Sequence, residues 1–132
     1  DTLSLHDALP ISQKPSGLGK YKAKPTYYDG IRYDSGMEAA RAEYLATMHR
    51  AGRIRFWAPK PGTVRLGLPE IQYRPDFLVV DNDGWPRYED VKGAETPKFK
   101  RDAKLWAKYG PCDLWVISSG EPRIISPKGD NG

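Results

Sequence analysis

The residues best suited to chemistry lie in two short stretches, Tyr73-Arg74-Pro75-Asp76-Phe77 and Tyr88-Glu89-Asp90-Val91-Lys92-Gly93. The first belongs to a strand-like run from Ile71 to Val80. The second belongs to another from Arg87 to Lys92, and the turn sequence Asp81-Asn82-Asp83-Gly84 joins them. Alternate side chains of a strand share a face, so Asp90 and Lys92 are expected on one side and Val91 on the other. Glu89, the competing acid, would face away from Lys92. A hairpin closing at Asp83-Gly84 brings Asp76 near Asp90. Two carboxylates beside an ammonium make a site for a hard divalent cation next to a water or a phosphate. The Val91 carbonyl is a further candidate ligand, because hard cations accept main-chain oxygen.

Each of these residues also has a plainer reading. Asp76 sits inside an apolar run, where an unpaired charge is costly, and a salt bridge to Arg74 or Arg87 would account for it. The downstream acid-x-Lys favours metal ligation instead. Asp90 and Lys92 fit the solvated face of an edge strand, but their place before Gly93, opposite Asp76, favours function. Ser35-x-x-Glu38 is a capping box, which explains Glu38 without chemistry. Glu38 nonetheless lies seven positions before Leu45 and so borders the buried face of its helix.

The elements that must position these groups follow from turn signals and periodicity. Pro25 to Tyr28 and Ile31 to Tyr33 flank Asp29-Gly30, a type I′ hairpin signal. A helix starts at Ser35, with Met37, Ala40, Tyr44, Leu45 and Met48 at helical spacing and Gly52 at its C′ position. Arg53 to Trp57 reads as a strand stopped by Pro59 and Pro61, and Pro61 to Pro69 as a loop or short strand. Thr96-Pro97 opens a second helix, with Thr as N-cap and Pro at N1. On it Phe99, Ala103 and Trp106 form an apolar stripe, Lys100, Lys104 and Lys108 line another face, and Gly110-Pro111 ends it. Leu114 to Ile117 is a short buried strand and Arg123 to Ile125 an edge strand. The predicted class is α/β with a mixed sheet: a β-hairpin, then the order α-β-β-β-α-β.

Pro75-Asp76 followed by Asp90-Val91-Lys92 resembles the paired motif of the PD-(D/E)xK nuclease superfamily. Ser35-Gly36-Met37-Glu38 opens a helix upstream, where members often place a glutamate. The order Ser-Gly-x-Glu, Tyr-x-Pro-Asp-Phe, acid-x-Lys-Gly is most similar to the phage endonuclease I branch, whose members resolve branched DNA such as Holliday junctions. It is also similar to a family of short phage and prophage proteins of the same superfamily. The resemblance spans Tyr21 to Ser118. It implies a single-domain, restriction-endonuclease-like core and a metal-dependent endodeoxyribonuclease. Glu38, Asp76, Asp90 and Lys92 would be catalytic, with Mg²⁺ (or Mn²⁺ in its place) on Asp76, Asp90, Val91 and Glu38. It further implies 5′-phosphate and 3′-hydroxyl products, a homodimer, and the cytoplasm of a bacterial host. Rival readings are a nuclease of the same superfamily with another target, such as a transposon end or restriction site, and a non-catalytic DNA-binding module.

Composition bounds these readings. The 132 residues carry a net charge of +4, and the first twelve contribute only Asp1 and Asp7 to it, so the remainder is more basic still. A basic small domain suits a polyanionic partner. Lys98, Lys100, Arg101 and Lys104 on the second helix are the candidate phosphate contacts, against the plainer reading of a solvated face. Lys104 is alternatively placed to reach the site itself. No apolar run approaches eighteen residues and no secretory pattern occurs, so no membrane role is expected. The single Cys112 excludes an internal disulfide and a Cys-rich zinc site. Residues 1–12 read like the translation of a sequencing adapter, outside the fold, and 13–24 as a flexible basic arm. The nuclease domain is expected over 25–125 and a disordered tail over 126–132.

Overall fold

The computed structural model describes residues 24–67 and 71–128, so segment 1–12, most of the arm and the end of the tail lie outside the described residues. The described chain is mixed α/β, with two helices, a five-stranded mixed sheet and two hairpins, and it divides into two compact units between Ala51 and Gly52.

The first unit opens on the hairpin of β1 (Thr26–Tyr28) and β2 (Ile31–Tyr33). Its turn residues Asp29 and Gly30 both have positive φ, 53° and 81°, the conformation that a type I′ turn requires. Helix α1 (Gly36–Arg50) follows and packs on the hairpin. Ser35 caps it, its Oγ accepting from the Glu38 N–H at 3.2 Å, and Gly52 follows the last turn with φ 75°. The buried face carries Ala39, Ala42 and Leu45, whereas Met37, Ala40 and Tyr44 are exposed. The expected stripe was therefore rotated. Apolar residues lie on two sides of α1, and on the outer side the Arg41 guanidinium lies 4.5 Å over the Tyr44 ring.

The second unit contains the main sheet, in the order β3 (Phe56–Pro59), β6 (Phe77–Val80), β7 (Pro86–Val91), β8 (Asp113–Ile117), β9 (Arg123–Ile125). Only β7 and β8 run parallel, and α2 (Pro97–Tyr109) makes the crossover between them. A second hairpin, β4 (Val64–Leu66) with β5 (Ile71–Tyr73), is inserted between β3 and β6 and forms a sheet of its own. The α-β-β-β-α-β order is thus present along the chain, with this hairpin as an insertion and β9 as an addition. The core of the unit joins Phe99 and Trp106 of α2 to Leu114 and Val116 of β8, and to Leu66 and Tyr73 of the inserted hairpin.

Three boundaries differ from the sequence expectation. Strand β3 begins at Phe56 and includes Pro59, which an edge strand tolerates because no ladder bond is lost on its outer side. The run Ile71–Val80 is two strands in two sheets, because Pro75 has no N–H and restricts Arg74 before it. Past β9 the chain remains tied down as far as Lys128, whose N–H donates to the Ala107 carbonyl at 2.9 Å.

Candidate active site

The break at Pro75 decides where Asp76 points its atoms. Its N–H donates to the Glu89 carbonyl at 3.0 Å, and its carbonyl accepts from the Lys60 N–H at 2.8 Å. The carboxylate Oδ2 accepts from the Val91 N–H at 2.8 Å. Asp76 is therefore fixed to the β7 backbone at the residue between Asp90 and Lys92. A residue's N–H and C=O leave a strand on the same side, so the Val91 carbonyl is directed toward Asp76 as well. The hairpin that achieves this closes on Asn82-Asp83-Gly84. Asp81 and Trp85 pair at its base, Asp81 Oδ1 accepts from the Asp83 and Trp85 N–H groups, and Gly84 takes φ 91°.

Asp90 is 3% exposed and occupies the β7 face that carries Tyr88, the face that packs on α2. A buried carboxylate needs partners, and Asp90 has two. The Tyr73 hydroxyl donates to its Oδ2, and Lys92 Nζ lies 3.3 Å from the same oxygen. Lys92 Nζ also sits 4.7 Å over the Phe99 ring, and its N–H donates to the Ile117 carbonyl. Burial, then the charge and hydrogen bond of Asp90, then the charges of Asp76 and Asp102 push the Tyr73 phenol far above its ordinary pKa. It stays a protonated donor. Glu89 faces the other way, as pleat alternation requires; it is fully buried and held by Arg87 at 2.8 Å, whose guanidinium lies 3.8 Å over the Trp115 ring.

These groups border an open cleft of about 310 Å³, walled by Tyr73, Arg74, Asp90, Lys92, Lys98 and Asp102, with Gln72, Thr96 and Phe99. The helix basics divide into two pairs. Lys98 and Arg101 both bond the buried Asp102 carboxylate, at 3.2 and 2.8 Å. Lys100 and Lys104 are exposed and do not border the cleft, so the alternative placement of Lys104 in the site is not what the fold adopts.

The metal question turns on donor chemistry. Asp76, Asp90 and the Val91 carbonyl supply hard oxygens, which suit Mg²⁺, an ion that keeps several waters and is held by one or two carboxylates plus substrate phosphate. Among the described residues no group of three or more His, Cys, Asp or Glu side chains could hold a metal. The residues fit a water-rich cation site on two carboxylates. They do not form a closed cage.

Glu38 belongs to the first unit, where its N–H completes the Ser35 cap. Its carboxylate, after burial and the nearby Tyr28 and Asp29, helps push the Tyr33 phenol up to about 12. Two residues were given no role in the site by the sequence reading. Tyr73 stood in the Tyr-x-Pro-Asp-Phe pattern, but the pattern gave no signal pointing to its hydroxyl. Asp102 did give one: it falls three residues after Phe99 and four before Trp106, on the buried stripe, where an acid must have partners. Cys112 is half-buried with its thiol pushed up mainly by burial, which suits an inert packing residue. Among the described residues no helix is long and apolar enough to cross a membrane.

Residues 18–120 match the profile of a family described as "Protein of unknown function (DUF1064)". No curated protein matches the chain.

Proposed function

The chain belongs to the DUF1064 family, and we propose that it is a Mg²⁺-dependent endonuclease that hydrolyses phosphodiester bonds in DNA, with branched DNA such as a Holliday junction as its preferred substrate. The observation that carries this reading is the Asp76 carboxylate bonded to Val91, directly between Asp90 and Lys92. Asp90 and Lys92 border the open cleft, and Asp76 is fixed to the backbone residue between them.

Asp76 and Asp90 would hold the cation, with the Val91 carbonyl as a further ligand; a ligand role for Glu38 rests on the family resemblance alone. A metal held there would lower the pKa of a water and offset charge on the scissile phosphate. Lys92 neutralises the negative charge that grows on the phosphoryl oxygens, or orients the attacking water. Its bond to Asp90 holds the ammonium at the cleft. Lys100 and Lys104 contact flanking phosphates, a role that Lys98 and Arg101 share only if they leave Asp102. The preference for branched DNA, the homodimer that would cut two strands, and a phage or prophage setting in the bacterial cytoplasm rest on the resemblance to the endonuclease I branch. The exposed lysines equally suit a non-catalytic DNA-binding module, which would bind DNA and never cut it.

The deciding experiment incubates the chain with supercoiled, linear and four-way-junction DNA. Cutting is expected with Mg²⁺ or Mn²⁺, with the junction preferred. Ca²⁺ should support binding without efficient turnover, since its loose coordination positions water poorly. Full activity in EDTA, or no cutting with any cation, would reject the proposal.

The two roles of Glu38 separate by substitution. Gln at N3 still serves a capping box, so Glu38→Gln should leave the melting temperature nearly unchanged. Gln is a poor ligand for a hard cation, so cleavage and metal affinity should fall steeply. Glu38→Ala keeps the N–H that donates to Ser35 Oγ, so it should lose less stability than Ser35→Ala, whose cost is on the order of 1 kcal/mol. Wild-type cutting by Glu38→Gln would leave the residue as a cap alone.

A further inference from the structure

We infer that Tyr73 is a positioning residue for the cation site, fixing the orientation of the Asp90 carboxylate through its hydroxyl. The inference rests on the site proposed above and gives a role there to a residue that the motif reading left without one.

Three observations carry it. First, the Tyr73 hydroxyl and Lys92 Nζ both bond the same Asp90 oxygen, Oδ2, which leaves Oδ1 as the oxygen to present to a cation. Second, the two partners differ in stiffness. Lys92 is partly exposed on a flexible four-carbon stem, and it must also serve a phosphate or water during the reaction. The Tyr73 ring is 6% exposed and packed between Trp106, at 5.6 Å between ring centroids, and Phe99, at 6.4 Å. Only the phenol can hold Oδ2 when Lys92 moves away. Third, Tyr73 comes from neither strand of the β6–β7 hairpin. It is the last residue of β5, in the inserted hairpin whose Leu66 is anchored in the same core. The insertion thus delivers a rigid donor to a carboxylate that the main sheet supplies. Partners of this kind set the orientation and basicity of a metal ligand, and losing one costs about 10- to 100-fold in metal affinity or activity.

Tyr73→Phe keeps the ring and removes the hydroxyl. Mn²⁺ titration by calorimetry, without DNA, should show affinity weakened by about tenfold or more, with the melting temperature close to wild type. The Mg²⁺ concentration for half-maximal cleavage should rise by a similar factor, and saturating Mg²⁺ should restore much of the rate. A merely structural tyrosine would shift the melting temperature and leave metal affinity alone. Unchanged Mn²⁺ affinity in a folded Tyr73→Phe chain overturns the inference while leaving the nuclease reading intact. A wild-type chain that binds no Mn²⁺ overturns both. Should Tyr73→Phe fail to fold, NMR of the wild-type chain carries the test. Its Tyr73 ring signals should shift in step with Mg²⁺ binding, and signals unmoved at saturation overturn the inference.

Discussion

Asp76→Asn and Asp90→Asn should each lower DNA cleavage by about a thousandfold or more, at or beyond the upper end of losing one preorganised electrostatic contact, while each variant stays folded and still binds DNA. The amides keep the shape and the accepting oxygen of the acids. In the first variant the amide oxygen can still accept from the Val91 N–H, and in the second it can still accept from the Tyr73 hydroxyl. Lys92 loses its ionic partner in the second variant, but its side chain is 29% exposed and water can solvate it. What disappears is one negative charge at the proposed cation site, so metal affinity should fall and repulsion toward phosphate should be reduced. DNA affinity measured in Ca²⁺-free buffer should therefore hold or rise. Cleavage rates, thermal melts and fluorescence anisotropy together check the three parts. Either variant cutting at the wild-type rate would remove that residue from the site.

The largest stability effect should come from the contact between Trp106 and Gly110. Trp106 is fully buried, stacks edge-on against Tyr73 and Tyr88, and donates its indole N–H to the Cys112 carbonyl at 2.7 Å. Trp106→Ala is expected to cost about 3–5 kcal/mol, and cleavage should suffer too because the Tyr73 ring loses its support. Gly110 has φ −62°, so its backbone does not demand glycine. Space does. A Cβ there would lie 2.4 Å from Trp106 Nε1 and 2.6 Å from Cδ1. Gly110→Ala should cost on the order of 1–3 kcal/mol through overpacking. Because both effects arise at one contact, the Gly110→Ala penalty should shrink sharply in a Trp106→Ala background. Urea unfolding of the four chains measures this directly, and strictly additive costs would mean that the indole yields without strain.

The physical reach of the sequence is clearest where one interaction decides one feature. Asp29-Gly30 specified its turn because both positions need positive φ, and Thr96-Pro97 and Ser35 specified helix starts because orphan amides need an acceptor. The alternation that put Asp90 and Lys92 together and Glu89 opposite is equally local. Features that depend on partners far along the chain were not readable. The Ile71–Val80 run looked continuous because apolar residues recur on both sides of Pro75; the separate pairing of β5 with β4 shows that the chain changes sheets there. Tyr73 reaches Asp90 across seventeen positions of sequence, a relation no period describes. The four helix basics were grouped as phosphate contacts, yet the buried Asp102 pairs with Lys98 and Arg101, exposed as they are, and not with Lys100 or Lys104. Gly110 was read only as the end of its helix, which it is, and it proves to be a packing requirement as well.

The pairing of β6 with β7 has a consequence for how this gene can vary. Phe77 faces Glu89 across the ladder, and the loop Asn82-Asp83-Gly84 alone spans the two strands. Because side chains alternate with a period of two, gaining or losing one residue that slips β7 by one position exchanges its two faces. Glu89 would then turn toward Tyr73 and the cleft, and Asp90 toward the side now held by Arg87 and Trp115. Every residue type of the motif would survive in the translated chain, and the site would be gone. Substitutions in the loop that keep the glycine are mild by comparison. At this turn descent is constrained in residue count, and single-codon insertions or deletions should be purged where point changes persist.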